Sequence, residues 1–240
     1  ELTVFYSMLV SVNSLRHNPT IKTEAANYGY NDMTYGFLGY PVSQSADITF
    51  CKANLVPVGE DQKPHMEMTR KIVRRFNELY GETLVEPDMM LSDCPRLMGL
   101  DGNAKMGKSL GNAIYLSDPA EEVRKKVMSA VTDASRIKKD DPGHPDICVV
   151  SKYHKVFNAG EYENICESCK KGAIGCVACK KALASALNDL LEPFREKRAY
   201  YEAHRDEVRD IILTGSEKAN KIGNETVKEV KEAMHIYIGD

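Results

Sequence analysis

The chain has 240 residues, a formal net charge of −3 and 42% hydrophobic residues, an ordinary composition for a globular protein. No apolar run approaches the ~20 residues that span a bilayer, and residues 1–5 lack the basic segment of a signal peptide. The near-neutral charge balance excludes a uniformly basic nucleic-acid binder, although it leaves room for a local basic face.

The first 50 residues predict mostly helix. Apolar residues near helical spacing predict one helix over residues 1–14. Pro19 and the polar residues around it indicate an irregular segment over 16–30. A short helix over 32–38 and an apolar segment beginning at Pro41 follow.

Gln44 and Asp47 are three residues apart, so they share one face if their segment is helical. Beside small residues, such a carboxylate can accept a hydrogen bond from a polar group on an aromatic ligand. The alternative is a helix cap or a surface ion pair, which is the commoner role of a single aspartate.

A strand, a glycine turn and a helix are predicted next. Leu55–Val58 indicates a short buried strand, Gly59 permits close backbone approach, and a helix is predicted from about residue 65 to its cap at residue 81. Open α/β sheets bind ligands at the carboxyl ends of their strands. Asp61 and Gln62 are therefore candidate ligand contacts.

Two further strands and a helix are predicted in the middle of the chain. Residues 89–91 and 113–116 are apolar enough for short strands. The next helix begins with Asp118 as a candidate cap and Pro119 at its first position.

Only helices are predicted from about residue 152 onward. Pro193 begins or kinks one of them, Gly215 ends it, and Ser216 caps the last. The boundary between an α/β part and a helical part is accordingly placed near residue 118.

The stretch from Asp101 to Asp118 holds two lysines three residues apart, Lys105 and Lys108, among several glycines. Lysine is a compact charge that binds phosphate, and glycines let backbone N–H groups approach an anion closely. The pattern is typical of a loop that closes on a polyphosphate. The alternative is a solvated surface loop.

Seven cysteines, an odd number, include five between residues 148 and 179. Clustered Cys-x-x-Cys pairs without a secretion signal are typical of metal ligands rather than of disulfides. Four thiolates suit either a structural zinc ion or an iron–sulfur cluster. One possible set of four, with the symmetric spacing of a zinc site, is Cys166, Cys169, Cys176 and Cys179. A second possible set has Cys148 in place of Cys166. The remaining alternative is that the thiols bind no metal.

Two motifs resemble those of class I aminoacyl-tRNA synthetases. Residues 105–109, KMGKS, resemble the KMSKS signature, with Gly107 where that family usually has serine. Residues 55–62, LVPVGEDQ, resemble the VPVGEDQ block of the tryptophanyl-tRNA synthetase family. Residues 129–133 and 218–220 also fit that family, so the resemblance covers most of the chain.

The resemblance implies roles for individual residues. Asp47 matches the carboxylate that accepts the indole N–H of tryptophan, and Gln44 lies beside it. Val56 and Val58 match positions that line the indole pocket, and Leu97 matches a residue against adenine. The other matched positions near the nucleotide or in the mobile loop are Gly59, Glu60, Asp61, Gln62, Lys105, Met106, Gly107, Lys108 and Ser109.

The implied reaction is attack of the tryptophan carboxylate on the α-phosphate of ATP bound with Mg²⁺, followed by transfer to tRNA. Lys105, Lys108 and Ser109 match the catalytic loop that holds the phosphates. Catalysis would be positioning plus electrostatic stabilisation. The sibling tyrosine family also has a Gln and an Asp in its pocket, so only the VGEDQ wording separates the two.

One departure concerns the HIGH-type motif, which has no counterpart around any of the six histidines. The chain begins about where the first half of the nucleotide-binding domain should have ended. We therefore expect a fragment, a truncated relative, or a chain without its first part, and expect no useful tryptophanyl-adenylate formation by these residues alone. The second hypothesis is a non-catalytic RNA-binding or regulatory relative.

By this resemblance the fold class is α/β. The C-terminal half of a Rossmann-type catalytic domain would occupy residues 1–118, and an all-helical anticodon-binding domain residues 119–240. The expected partners are tRNA, tryptophan, ATP and a second copy of the chain, in the cytoplasm and without a membrane. Basic residues that indicate a tRNA face, or else a solvated surface, are Lys170, Lys171, Lys180, Lys181, Arg195, Lys197 and Arg198.

The resemblance also favours one set of cysteines. Residues 175–181 are similar to a subset of tryptophanyl-tRNA synthetases that bind a four-iron four-sulfur cluster near the anticodon region. In that subset the first ligand lies well upstream of the other three. It thus implies a cluster on Cys148, Cys169, Cys176 and Cys179, with Cys166 free and zinc as the alternative metal.

Overall fold

The computed structural model describes residues 1–30, 32–92, 97–102, 106–107 and 110–236. Contacts divide the chain into two compact units, residues 1–95 with 210–240 and residues 96–209. Each unit has its own hydrophobic core. In the described part of the chain, no helix is both long and apolar enough to cross a lipid bilayer.

The first unit combines helices with a pair of parallel strands. Its elements are α1 (Leu2–Ser7), α2 (Val12–Arg16), α3 (Pro19–Tyr28), α4 (Tyr35–Thr49), β1 (Leu55–Val58), α5 (Lys63–Tyr80) and β2 (Asp88–Leu91). Parallel neighbours need a crossover, and α5 supplies it. The predicted strands at 55–58 and 89–91 are confirmed, as is the helix that ends before Gly81, whose φ is +92°.

The N-terminal segment differs from the prediction. Two short helices replace the single one over residues 1–14, because Ser11 caps the second of them with its side chain. The predicted irregular segment is instead α3. Pro19 occupies its first turn, where the missing N–H costs nothing, and Asn18 caps it.

An ion-pair triad ties α5 to the segment before β2. Glu86 accepts from Arg70 Nε at 2.7 Å and from Arg74 Nε at 2.8 Å. The Arg74 and Arg70 guanidinium groups lower the pKa of Glu86 to about 2. Because its pKa is lowered, this carboxylate stabilises the fold fully at pH values above its ordinary pKa of 4.5. The contribution is lost as the pH falls toward 2.

We therefore expect Glu86→Gln to lower the free energy of unfolding at pH 7 by about 1 kcal/mol, since the pair is partly exposed and screened. The difference from wild type should shrink between pH 4 and pH 2, where the wild-type carboxylate takes up its proton. Urea unfolding followed by circular dichroism at several pH values measures this. A difference that stayed constant down to pH 2 would contradict the ion-pair assignment.

The second unit is helical. Its elements are α6 (Ala120–Ser129), α7 (Val149–Phe157), α8 (Ala159–Lys170), α9 (Cys176–Ala203) and the start of α10 (Arg205–Ala233). Val123 and Val127 of α6 pack in one core with Tyr153 of α7 and with Leu183 and Leu187 of α9.

The strand predicted over 113–116 is wrong, because residues 113–115 are irregular and a turn follows at residues 116–117. Asp118 Oδ2 accepts from the backbone N–H of Tyr115 at 2.8 Å, which takes a donor that a strand ladder would need. The same carboxylate accepts from Lys126 Nζ at 2.6 Å. Asp118 thus closes the turn instead of capping α6, whose cap residue is Pro119.

The predicted helix boundaries at Pro193 and Gly215 are also wrong, whereas the alternative of a kink at Pro193 stays a prediction. Pro193 lies inside α9, and Gly215 lies inside the 29-residue helix α10 together with Ser216. A Cβ on Gly215 would have open space around it, since no described residue beyond the adjacent helix backbone comes within 4 Å. A glycine in an exposed helix interior costs only ~1 kcal/mol, which a long helix tolerates. The two compact units come from the contacts within the chain, and the domain boundary near residue 118 stays a prediction.

Candidate functional site

The turn after β1 has the form expected of a ligand-binding edge. Glu60–Gln62 forms one 3₁₀ turn, in which the N–H of Gln62 donates to the Gly59 carbonyl at 3.0 Å. A Cβ on Gly59 would stand only 2.7 Å from Asp61 Oδ1, so glycine lets this carboxylate fold back over the turn. The predicted turn residues therefore lie where β1 ends and α5 begins.

Two predicted residues from different segments meet at this turn. Gln44 Nε2 on α4 donates to Gln62 Oε1 at 3.2 Å, and Gln62 Nε2 donates to Asp61 Oδ2 at 3.2 Å. The next residue along α4, Ser45, is buried and lies 2.9 Å from the hydroxyl of Thr69 on α5. This contact holds α4 against α5 and presents Gln44 to the turn.

Asp47 lies about one turn beyond Gln44 on α4 and is exposed. Within the described ranges no hydrogen bond or ion pair engages its carboxylate, which is consequently available to a ligand. Val56 and Val58 are half-buried and alternate with exposed residues along β1. The structure thus places the four predicted pocket residues in one unit, and among the described residues no hydrogen bond joins Asp47 to the other three.

Sequence reasoning missed a buried polar chain behind Gln44. The Tyr40 hydroxyl, one turn before Gln44, donates to Glu24 Oε2 at 2.8 Å and lies 2.9 Å from His65 Nε2. Asn18 Oδ1 caps α3, which leaves Asn18 Nδ2 to face His65 Nδ1 at 3.5 Å. His65 Nδ1 therefore accepts, and the N–H on Nε2 donates to the Tyr40 oxygen.

Two members of this chain, Tyr40 and His65, stay neutral around neutral pH. Burial, followed by the neighbouring Glu24 carboxylate, raises the pKa of Tyr40 above its usual range. Burial lowers the pKa of His65. The sequence does contain a signal for this chain. Tyr40 precedes Gln44 by one helical turn, and His65 follows Gln62 by three residues, so each polar residue lies close to a predicted site residue.

Three residues of the lysine loop, Lys105, Lys108 and Ser109, lie outside the described residues. Of the other predicted positions in this part of the chain, Leu97 and Met106 are partly buried and pack against the core of the second unit. The backbone N–H of Gly107 donates to Asn112 Oδ1 at 2.9 Å.

Asn112 anchors the described flanks of this loop. The Asn112 side-chain Nδ2 donates to Asp101 Oδ1 at 3.0 Å, and the Asn112 backbone carbonyl accepts from the N–H of Leu100 at 3.0 Å. Gly102 and Gly111 have φ values of +81° and +64°, which glycine adopts without strain. The ends of the loop are therefore held by one buried amide side chain.

The cysteines of the second unit sit at helix ends. Cys148 precedes α7, Cys166 and Cys169 lie on the last turns of α8, and Cys176 begins α9 with Cys179 one turn later. All described cysteines are free thiols. Burial, followed by the charges of the other four thiols close by, raises the pKa of Cys179 to about 12.

The five thiols thus converge, but they are not arranged as a ready coordination shell. Among the described residues, no group of three or more His, Cys, Asp or Glu side chains is placed to hold a metal ion.

A guanidinium group lies beside the thiols. Arg136 Nη1 donates to the sulfurs of Cys169 and Cys176 at 3.8 and 4.0 Å. Within the described residues, Arg136 Nε is buried without a hydrogen-bond partner. A Cβ on Gly143 would stand 2.6 Å from Cys169 Sγ, so the loop that carries Arg136 approaches the thiols closely at a glycine.

The same loop is held by a carboxylate. Asp133 accepts from the hydroxyl of Ser135 at 2.6 Å and from the backbone N–H of His144 at 3.0 Å. These hydrogen bonds, that of the Ser135 hydroxyl first, hold the pKa of Asp133 well below its usual range.

Several residues of the predicted basic face are engaged within the protein. Lys180 Nζ donates to the Met128 carbonyl at 2.9 Å, and Lys171 pairs with Glu167. Arg195 Nε donates to the Asp118 carbonyl at 3.0 Å. In the described part of the chain, the exposed residues of this set without an ion pair are Lys170, Lys181 and Lys197.

We therefore expect Arg195→Ala to destabilise the protein instead of specifically weakening RNA binding. Its side chain also donates to Asn188 Oδ1 and Glu192, so truncation leaves several acceptors unpaired and costs about 2 kcal/mol. Lys197→Ala is the matched control and should change the free energy of unfolding by less than ~0.5 kcal/mol. Urea titration of both variants measures this, and equal stabilities would contradict the assignment.

Comparisons with known proteins agree with this geometry. The family described as tRNA synthetases class I (W and Y) matches residues 1–192. Tryptophan–tRNA ligase of Aquifex aeolicus is 47% identical over 209 residues, covering 86% of this chain and 53% of that protein. Tryptophan–tRNA ligase of Streptococcus pyogenes serotype M3 is 48% identical over 245 residues, covering 98% and 72%. Tryptophanyl-tRNA synthetase of Campylobacter jejuni, solved with ADP and tryptophan, superposes with a TM-score of 0.78 at 27% identity, covering 98% and 72%.

The parallel strand pair, the glycine turn and the helix after it define the class, an α/β fold of the nucleotide-binding kind. The chain belongs to the class I tRNA synthetase family of the tryptophan and tyrosine enzymes. It spans about half the length of the Aquifex aeolicus relative, 53%, and 72% of the Streptococcus pyogenes one.

Proposed function

We propose that this chain is part of a tryptophan–tRNA ligase, which activates tryptophan with ATP and Mg²⁺ and transfers it to tRNA. The observation that carries the proposal is the meeting of Gln44 with Gln62 at the end of β1. On the same helix lies the Asp47 carboxylate, which no described residue engages. The Campylobacter jejuni neighbour, which was solved with ADP and tryptophan, supports the substrate assignment.

In the proposed pocket, Asp47 accepts the indole N–H, and Val56 and Val58 contact the ring. Gln44 and Gln62 already pair with each other, so each can turn one polar group toward the amino acid without leaving the other unsatisfied. A carboxylate that needs an N–H donor rejects phenylalanine, because the acceptor would then be buried unpaired.

In the proposed activation step, the tryptophan carboxylate attacks the α-phosphate and pyrophosphate leaves. Gly59, Glu60 and Asp61 lie near the nucleotide, and Leu97 lies against adenine. Lys105 and Lys108 stabilise the charge that develops on the phosphates, with Ser109 beside them. Met106 and Gly107 belong to the same loop. A hydroxyl of the tRNA terminus then attacks the mixed anhydride, and AMP leaves.

We assign the catalytic role to residues 1–118 and the tRNA-binding role to residues 119–240, in a homodimer as in the resembling family. Lys170, Lys181 and Lys197 are the proposed phosphate contacts, since exposed lysines give affinity without reading bases. The free thiols fit the reducing environment of the cytoplasm.

Tryptophan-dependent exchange of pyrophosphate into ATP tests the activation step on the intact gene product. The proposal expects exchange with tryptophan and little with tyrosine or phenylalanine at equal concentrations. Exchange driven equally well by tyrosine would assign the chain to the sibling activity. Binding of RNA without any exchange would favour a non-catalytic relative.

We further propose that Cys148, Cys169, Cys176 and Cys179 hold a four-iron four-sulfur cluster. The convergence of the thiols fits such a group, and so do the donors of Arg136. Its buried Nε has no hydrogen-bond partner among the described residues, and a thiolate-bound cluster carries negative charge. When bound, it would crosslink the loop before α7 to the start of α9, where Lys181 lies.

Purification without oxygen, followed by a visible spectrum and by iron, sulfide and zinc analysis, tests the cluster. We expect a brown protein with about four irons and four sulfides. Cys148→Ser should lose it and Cys166→Ser should keep it. A colourless protein with one zinc would contradict the cluster, and the reverse order of the two variants would contradict the ligand set.

A further inference from the structure

A buried histidine lies directly behind one of the proposed ligands. His154 on α7 is fully buried, and its Nε2 lies 3.1 Å from the carbonyl oxygen of Cys179 and 3.5 Å from Cys179 Sγ. On its other side, His154 Nδ1 lies 3.1 Å from Asn158 Nδ2. The ring thus spans from the end of α7 to the first turn of α9.

Both neighbours give the ring the same tautomer. An amide nitrogen only donates, so Nδ1 accepts from Asn158. A carbonyl oxygen only accepts, so Nε2 carries the proton and points at Cys179. The N–H on Nε2 is therefore shared between the Cys179 carbonyl and its sulfur, and a thiolate there is a better acceptor than a thiol.

We infer that His154 is a positioning residue for the Cys179 ligand, donating an N–H···S hydrogen bond to its thiolate and thereby raising the reduction potential of the metal group that it binds. The inference rests on the cluster proposed above. It concerns a different donor from Arg136, which faces the sulfurs of Cys169 and Cys176. Hydrogen bonds to ligand sulfurs stabilise the more negative, reduced state.

Two features separate this role from simple packing. Any flat side chain could fill the buried space of the ring, but only a side chain with an N–H at this position could donate to Cys179. Asn158 is half-buried, and its side chain keeps the donor on Nε2. Such outer hydrogen bonds typically change metal retention by about 10- to 100-fold.

The test compares three variants of the intact gene product, purified without oxygen. His154→Phe keeps a buried ring without a donor, and His154→Gln keeps an amide donor. His204→Phe is the control, because His204 is exposed and its Nδ1 contacts the Tyr200 carbonyl. The readouts are the midpoint potential in a redox titration and the rate of iron release to a chelator.

We expect His154→Phe to shift the potential to a more negative value and to release iron about tenfold faster, with His154→Gln restoring most of both. The control should match wild type. If the wild type contained iron but His154→Phe had the same potential and the same rate of iron release, only the inference about His154 would be overturned. If the wild type contained no iron, the proposed cluster would be overturned as well. If both His154 variants lost the metal equally, packing would account for the residue and the inference would fail.

Discussion

Replacing Lys108 by alanine is expected to lower the rate of tryptophanyl-adenylate formation by about 100- to 1,000-fold while leaving tryptophan affinity nearly unchanged. The proposed loop acts on charge that develops in the transition state, so its loss affects the chemical step and not the ground-state complex. Single-turnover adenylate formation and equilibrium tryptophan binding, both on the intact gene product, separate the two effects.

Lys125→Ala is the matched control for this variant. Lys125 is an exposed lysine on α6, and no ion pair engages it among the described residues. Its removal should leave both measurements at wild-type values. A Lys108 variant that lost only tryptophan affinity would place this lysine outside the phosphate site.

Asp47→Asn is expected to have the opposite profile. Losing a hydrogen bond to a charged acceptor costs about 2 kcal/mol, which weakens tryptophan binding by roughly 30-fold. The adenylate rate at saturating tryptophan should change much less. Titration calorimetry and single-turnover kinetics on the same preparation provide the comparison.

Asp32→Asn controls for the change of one surface carboxylate. Asp32 is exposed and, within the described ranges, has no hydrogen bond or ion pair. Unchanged tryptophan affinity in the Asp47 variant, together with normal folding, would show that the indole N–H is satisfied elsewhere.

Local signals explain which parts of the fold could be predicted. Three elements that follow one another in the sequence were predictable. A short apolar run specifies β1, a glycine specifies the turn at Gly59, and regularly spaced buried residues specify α5. By contrast, α3 buries only Ile21 and Ala25, and the proline that marks its start resembles a helix breaker. Helix α10 continues through Gly215 because one glycine costs little in a helix of 29 residues.

The candidate site was predictable residue by residue but not as an arrangement. Gln44 and Gln62 are 18 positions apart, and the sequence does not say which helix covers the turn. The chain from Glu24 through Tyr40 to His65 joins three helices, and each residue type alone has a commoner role. Cysteine spacing predicts a cluster of thiols, whereas the path that brings Arg136 to them depends on an irregular loop.

Charging of tRNA by the intact gene product tests the proposed activity most directly. Purified protein would be mixed with ATP, Mg²⁺, bulk tRNA and labelled tryptophan or tyrosine, and acid-precipitable label would be counted. We predict ATP-dependent transfer of tryptophan to tRNA and none of tyrosine. Absence of tryptophan transfer by folded protein, or preferential transfer of tyrosine, would contradict a tryptophan–tRNA ligase.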